Sequence, residues 1–169
     1  CSVNYRNVWW RIIKNWIRGN ITIIPFDYTR KAKKKIDEII LRLNVWYFCK
    51  GINKSNIPTK FPYKAISPYN NKYHIYKNIN DIETELVDLY DDAKINGYKV
   101  GRAIFEQHLF FCNPLLLFKS KYQVLIKAIE FSKQTQTPMY KNMENTPAKY
   151  IDQFFIINKE ISEALNGNK

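Results

Sequence analysis

Residues 29–51, TRKAKKKIDEIILRLNVWYFCKG, decide the fold class of this chain. Ala32, Ile36, Ile39, Ile40, Leu43, Trp46 and Tyr47 recur at steps of three and four, the repeat of an apolar face on an α-helix. Gly51 supplies a stop, so the spacing predicts a helix from Thr29 to Lys50. Its opening turns carry Arg30, Lys31, Lys33, Lys34 and Lys35. On this reading five cations sit at the positive end of the helix dipole, where acids are favoured. A locally unfavourable choice of that kind points to an anionic partner.

The flanking segments extend the helical pattern. Residues 4–18 place Val8, Trp9, Ile12, Ile13, Trp16 and Ile17 on one side of a helix, with Arg11, Lys14 and Arg18 opposite and Gly19 as the stop. Residues 20–28, NITIIPFDY, are β-branched and broken by Pro25, which predicts an extended connector. Residues 51–80 lose the helical period and contain Pro58, Pro62 and Pro68; within them YKAISPYNNKYHIYK predicts a β-hairpin across Ser67–Asn71. Asn80 with Glu83 reads as a capping box opening an acidic helix that ends at Asn96, before Gly97. Further helices are predicted over 98–112, 114–134 and 146–166, with a loop containing Pro138 before the last. The expected fold is all-α: a single compact domain of five to six helices with an irregular or β-hairpin insertion near residues 51–80.

Charge is distributed unevenly. The formal net charge is +12, and residues 1–64 hold 14 Lys/Arg against 3 acids, residues 65–118 five against seven, and residues 119–169 eight against five. A field of one sign on part of a small protein favours an anionic partner. Ile, Asn, Lys and Tyr number 23, 18, 21 and 12, all with AT-rich codons, so an AT-rich genome accounts for part of the total charge. It does not account for the asymmetry. Lys outnumbers Arg 21 to 6, which suits point-charge contact with phosphates rather than bidentate reading.

With 46% hydrophobic and 15% aromatic residues in 169, the chain has core material for one domain and is not globally disordered. Cys1, Cys49 and Cys112 are odd in number and lack a CxxC pair, which argues against a disulfide framework or structural zinc. Cys1 is compatible with a removed initiator Met, an acylated lipoprotein end or a cut fragment; the first and third fit better, because a basic helix follows almost at once. No apolar run approaches a membrane span and no signal peptide is legible, so an intracellular protein, cytoplasmic or in a nucleoprotein particle, is expected.

Nucleic-acid surfaces combine cations for phosphates with rings on which bases stack. Arg11, Lys14, Arg18, Arg30, Lys31, Lys33, Lys34, Lys35, Lys64 and Lys72 are the candidate cations, and Tyr73 the leading candidate ring, with Tyr63, Tyr69, His74 and Tyr76 beside it. The plainer reading is a solvated basic face with ordinary loop packing. Trp9, Trp16 and Trp46 are assigned to apolar faces, and Trp10 to the edge of its stripe. A membrane surface ranks lower, because an amphipathic helix in a globular chain usually packs on its own core.

Asp81, Glu85, Asp88 and Asp92 share an arc opposite Ile82, Leu86, Leu89 and Ala93. Such an arc can bind a divalent ion or do acid–base work, but those sites usually need ligands from a second element. No Glu-x-x-His accompanies it. A solvated face, or one that pairs with the basic half or a neighbouring copy, is preferred. No cofactor and no metal is expected, and no glycine-rich phosphate loop is present.

Arg102 and His108, with five residues between them in a helical basic chain, form a spacing that resembles the Arg–His signature of HEPN ribonucleases. The resemblance covers these seven residues, with Ala103 where the family often has a polar residue. It implies a His and an Arg acting on an RNA phosphodiester across a dimer interface. The alternative is a helix-surface Arg and a core His near Phe110 and Phe111.

The resulting expectation is a non-enzymatic, basic nucleic-acid-binding protein, largely sequence-nonspecific, in a nucleoprotein, virus or phage particle. RNA and DNA are not distinguished. The alternatives are a protein–protein assembly component that self-associates or joins a larger partner without nucleic acid and, third, a HEPN-like ribonuclease. Reversing Lys33, Lys34 and Lys35 to Glu is expected to abolish binding while sparing or improving stability.

Overall fold

A computed structural model describes residues 26–166, with 143 excepted. The expected helix 4–18, with Arg11, Lys14 and Arg18, lies outside the described residues, as do residues 20–25 and Gly167. The chain divides into two units, Cys1–Lys33 and Lys34–Lys169. The described elements are α1 (Phe26–Lys50), β1 (Tyr63–Ser67), β2 (Lys72–Tyr76), α2 (Ile79–Ile95), α3 (Val100–Gln107), α4 (Pro114–Leu117), α5 (Ser120–Thr135) and α6 (Ala148–Asn166). A turn of 3-10 helix, His108–Phe110, follows α3. The described chain is mostly helical with one small antiparallel hairpin, as the periodicity predicts.

Helix α1 starts at Phe26, so residues 26–28 are helical and not part of an extended connector. A helix can begin directly after a proline, because first-turn N–H groups have no intrahelical partner. The earlier start moves Arg30–Lys35 beyond the first turn, where the dipole has faded. The inferred conflict between those cations and the helix dipole therefore lapses. Gly51, at φ +83°, stops the helix with its N–H on the Tyr47 carbonyl at 2.9 Å.

Every residue from 39 to 47 is buried, which is wider than the stripe read from the sequence. One side of α1, Ile39, Leu43, Trp46 and Tyr47, packs with Tyr63, Tyr76, Leu86, Leu89, Ile104 and Phe111. Ile40, Leu41 and Val45 pack instead with Tyr122, Ile126 and Ile129 of α5 and Ile157 and Ile161 of α6. A helix apolar nearly all round is a central helix, and α1 joins two groups of core residues.

Its two polar interior positions, Arg42 and Asn44, are hydrogen-bonded. Arg42 donates to Glu38 at 2.8 Å and to Glu160, whose other carboxylate oxygen accepts from Trp46 Nε1 at 2.8 Å; Tyr90 O–H donates to Glu38 at 2.7 Å. Gly101 of α3 lies against this cluster, and a Cβ there would collide with the Glu160 carboxylate and stand 2.6 Å from Trp46 Nε1. Asn44, fully buried, donates to the Ile40 and Leu117 carbonyls and accepts the Lys119 N–H at 2.9 Å.

The Asn44 bonds correct the helix predicted over 114–134. The chain leaves helix after Leu117, with Phe118 and Lys119 extended, and α5 starts afresh at Ser120. Asn44 takes the carbonyl and N–H that the break frees, at 3.0 and 2.9 Å. The helix predicted over 98–112 is likewise shorter, α3 plus the 3-10 turn. The last helix begins at Ala148, directly after Pro147. The cap of α2 shifts too: Asn78, not Asn80, accepts the N–H groups of Asn80 and Asp81, while the Asp81 carboxylate accepts from Lys77 N–H at 2.7 Å. Its other end agrees with expectation, with Asn96 as C-cap before Gly97.

The hairpin predicted across Ser67–Asn71 forms, with Ser67 itself the last residue of β1. Tyr63 pairs with Tyr76, Ala65 with His74 and Ser67 with Lys72, with Asn71 at φ 55° in the turn.

Candidate functional site

The sequence-derived cations separate into two environments. Arg30, Lys31, Lys33 and Lys34 are exposed on α1, and Lys35 is half-buried. Lys35 Nζ binds the Asp91 carboxylate of α2 at 2.6 Å and Lys34 reaches Asp152 of α6 at 3.6 Å. Part of the run thus already has acids within its own fold. Asp91 stands outside the Asp81/Glu85/Asp88/Asp92 arc, so the expected pairing of the acidic helix with the basic half falls on a residue that the arc did not include.

The hairpin and its approach differ. Between Glu38 and Asp81 the sequence has no acid, while Lys54, Lys60, Lys64, Lys72 and Lys77 are all exposed. Among the described residues no ion pair includes any of these five. Lys64 and Lys72 were candidates from the sequence; Lys54, Lys60 and Lys77 were missed. The signal that finds them is the acid-free interval, which is legible without a structure.

The candidate rings split by burial. Tyr63 and Tyr76 are buried, so they are corrected from ligand-stacking candidates to core. They continue a stack of rings 5.4–5.6 Å apart that runs Phe61, Tyr63, Tyr76, Phe111, and Tyr63 O–H donates to the Phe111 carbonyl at 2.8 Å. On the underside Ser67 Oγ donates to Glu85 of α2. Tyr69, Tyr73 and His74 are exposed, Tyr73 at 65%. Lys64 Nζ lies 4.8 Å from the Tyr73 ring centre, across the diagonal of the ladder, where long side chains meet.

Three carboxylates of the acidic arc of α2 have partners within the fold. Glu85 accepts from Ser67, Asp81 from the Lys77 N–H and Asp92 from Asn96. Burial, then the neighbouring Glu85 and Asp91 charges, raise the Asp88 carboxyl above its ordinary value. Among the described residues no group of three or more His, Cys, Asp or Glu gathers as a metal site.

Arg102 and His108 do not share a site. Arg102 is exposed and paired with Glu106 at 2.7 Å. His108 is fully buried: its Nδ1 faces the Ile104 and Phe105 carbonyls at 3.1 and 2.8 Å, and its Nε2 meets Tyr47 O–H at 2.8 Å. Two carbonyl acceptors place the proton on Nδ1, so Nε2 accepts from Tyr47. Burial lowers the imidazole to about 4, although the two carbonyls act in the opposite direction. Neither ring nitrogen is available to a substrate, and the spacing shared with HEPN ribonucleases is not matched by a shared surface. Phe111 is core, as expected beside this His, but Phe110 is exposed.

Burial likewise raises the Cys112 thiol to about 12 and the half-buried Cys49 thiol above its ordinary value, so neither is an activated nucleophile. No described helix is long and apolar enough to cross a membrane. Comparison of the chain with protein-family models, with curated proteins and with solved structures found no match in any of the three.

Proposed function

We propose that this chain binds nucleic acid without marked sequence preference, through phosphate contacts made by exposed lysines. The observation that carries the reading is the acid-free interval between Glu38 and Asp81 with Lys54, Lys60, Lys64, Lys72 and Lys77 exposed along it. Exposed cations that make no ion pair among the described residues are open to phosphates, and lysine contacts them as a point charge that carries no base information. A role in a nucleoprotein particle, including a virus or phage particle, is the setting in which such binding is useful.

The test is salt dependence. Binding to a labelled duplex and a labelled single strand is followed by fluorescence anisotropy between 50 and 200 mM salt. Five phosphate contacts predict a loss of about two to three orders of magnitude across that range, the larger for the duplex, because each contact releases counterion. An affinity unchanged by salt rejects the proposal.

A second reading is a protein–protein assembly component. Val124 and Phe131 on α5 and Phe155 on α6 are each about two-thirds exposed, more apolar surface than those helices need for their own packing. Self-association of nucleic-acid-free protein, measured by sedimentation, supports this reading over the first.

A further inference from the structure

We infer that the outward face of the β1–β2 hairpin is a stacking platform for single-stranded nucleic acid, with Tyr73 and Tyr69 as the ring surfaces and Lys64 as the adjacent phosphate contact. The inference rests on the nucleic-acid reading above and names the form of nucleic acid and the place. The two faces of the hairpin have different chemistry. Tyr63, Ala65, Ser67 and Tyr76 are buried, while Lys64, Ile66, Tyr73 and Ile75 are exposed. Across the ladder Lys64 pairs with Ile75 and Ile66 with Tyr73, so these four side chains form one patch. Tyr69 adds a second exposed ring at the turn.

Ile66, Tyr69, Tyr73 and Ile75 leave apolar surface exposed at the hairpin, and the charge around it selects the partner. Lys64 is part of the patch, Lys72 opens β2, Lys77 follows it and Lys60 precedes β1, and no acid lies between Glu38 and Asp81 in the sequence. Lys64 already rests over the Tyr73 ring at 4.8 Å, which sets a cation beside a surface where a base can stack. A duplex hides its base faces, whereas a single strand offers them together with its phosphates. The support beneath is fixed: the Phe61–Tyr63–Tyr76–Phe111 stack, the Tyr63–Phe111 hydrogen bond at 2.8 Å and the Ser67–Glu85 bond hold the inner face to the core. Positioned rings on a held backbone lose little entropy on binding.

The experiment measures anisotropy of a labelled oligothymidylate of about 12 nucleotides, within the site size of single-strand binders. A duplex of equal length is run in parallel. Tyr69→Ala/Tyr73→Ala is expected to weaken single-strand binding by at least about tenfold and to leave duplex binding nearly unchanged, with Tyr69→Phe/Tyr73→Phe retaining wild-type affinity. Lys64→Gln/Lys72→Gln is expected to weaken both and to flatten their salt dependence. Equal single-strand affinity of the Ala variant and wild type, or binding of duplex alone, overturns the platform and leaves the broader proposal standing. Failure of the wild-type protein to bind either probe at low salt removes both. Self-association of nucleic-acid-free protein that the Ala variant loses assigns the face to a second copy and overturns the inference.

Discussion

Helix α1 and the hairpin are both rich in cations, yet they use them differently. On α1, Arg42 is enclosed by Glu38 and Glu160, Lys35 is held by Asp91 and Lys34 reaches Asp152. Around the hairpin the nearest cation contact is Lys64 on the Tyr73 ring, and among the described residues no ion pair involves Lys60, Lys64, Lys72 or Lys77. Local density of positive charge is therefore a poor measure of charge available to a partner. What counts is whether the fold brings an acid to it.

Arg42 and Lys35 are thus held by acids of the fold, while the hairpin lysines are the ones proposed to contact phosphate, and each half of that contrast can be broken. The largest effect is expected at Arg42. Arg42→Ala leaves Glu160 buried without its cation and is expected to lose about 3–5 kcal/mol of stability in urea titration. A loss below 1 kcal/mol, on the order of a surface pair, would remove the structural role. Gly101→Ala strikes the same cluster from α3 and is expected to destabilise by about 3 kcal/mol through overpacking against Glu160.

A charge forced into the core provides a third test. His108 is held near 4 by burial against an ordinary 6.5, so the unfolded chain takes up the proton first as pH falls. Stability is therefore full above about 6.5 and declines between 6.5 and 4, by roughly 3 kcal/mol in all. Stability that stays flat from pH 7 to 4.5 would show that the imidazole is not buried neutral.

The hairpin should respond in the opposite sense. Lys60→Gln/Lys64→Gln/Lys72→Gln/Lys77→Gln is expected to change stability by less than about 0.5 kcal/mol while lowering nucleic-acid affinity at physiological salt. Destabilisation comparable with Arg42→Ala would erase the contrast. A modest effect is also expected for Asp91→Asn, which removes the Lys35 ion pair at a cost under about 1 kcal/mol because both side chains are partly solvated. The same pair alters the expectation for Lys33→Glu/Lys34→Glu/Lys35→Glu. Reversing Lys35 sets a carboxylate against Asp91 and near Asp88, so this variant should lose stability rather than spare or gain it.

Much of the helical architecture was legible because it is periodic. The steps of three and four in residues 36–47, the glycine at 51 and the proline-rich hairpin segment each act over a few residues, and their readings hold, whereas Ala32, read as part of the same face, is exposed. The readings that failed depended on a distant partner. The break at Phe118–Lys119 is invisible locally, since the groups it frees are taken by Asn44, more than 70 positions away. Tyr63 and Tyr73 look alike in sequence, and strand alternation puts them on opposite faces only once the core side is known. The missed Lys54, Lys60 and Lys77 were readable all along, in the absence of acids from Glu38 to Asp81.

By itself the sequence determined the helical class, the hairpin and its turn, and the excess of positive charge in the first 64 residues, because propensity, period and composition are local properties. Tertiary structure alone decided which charges are spent inside the molecule. Arg42 meets Glu160 across 118 positions and Lys35 meets Asp91 across 56, while His108 closes on Tyr47 across 61. Such pairings arise from packing of α1 between its neighbours, and no period along the chain encodes them.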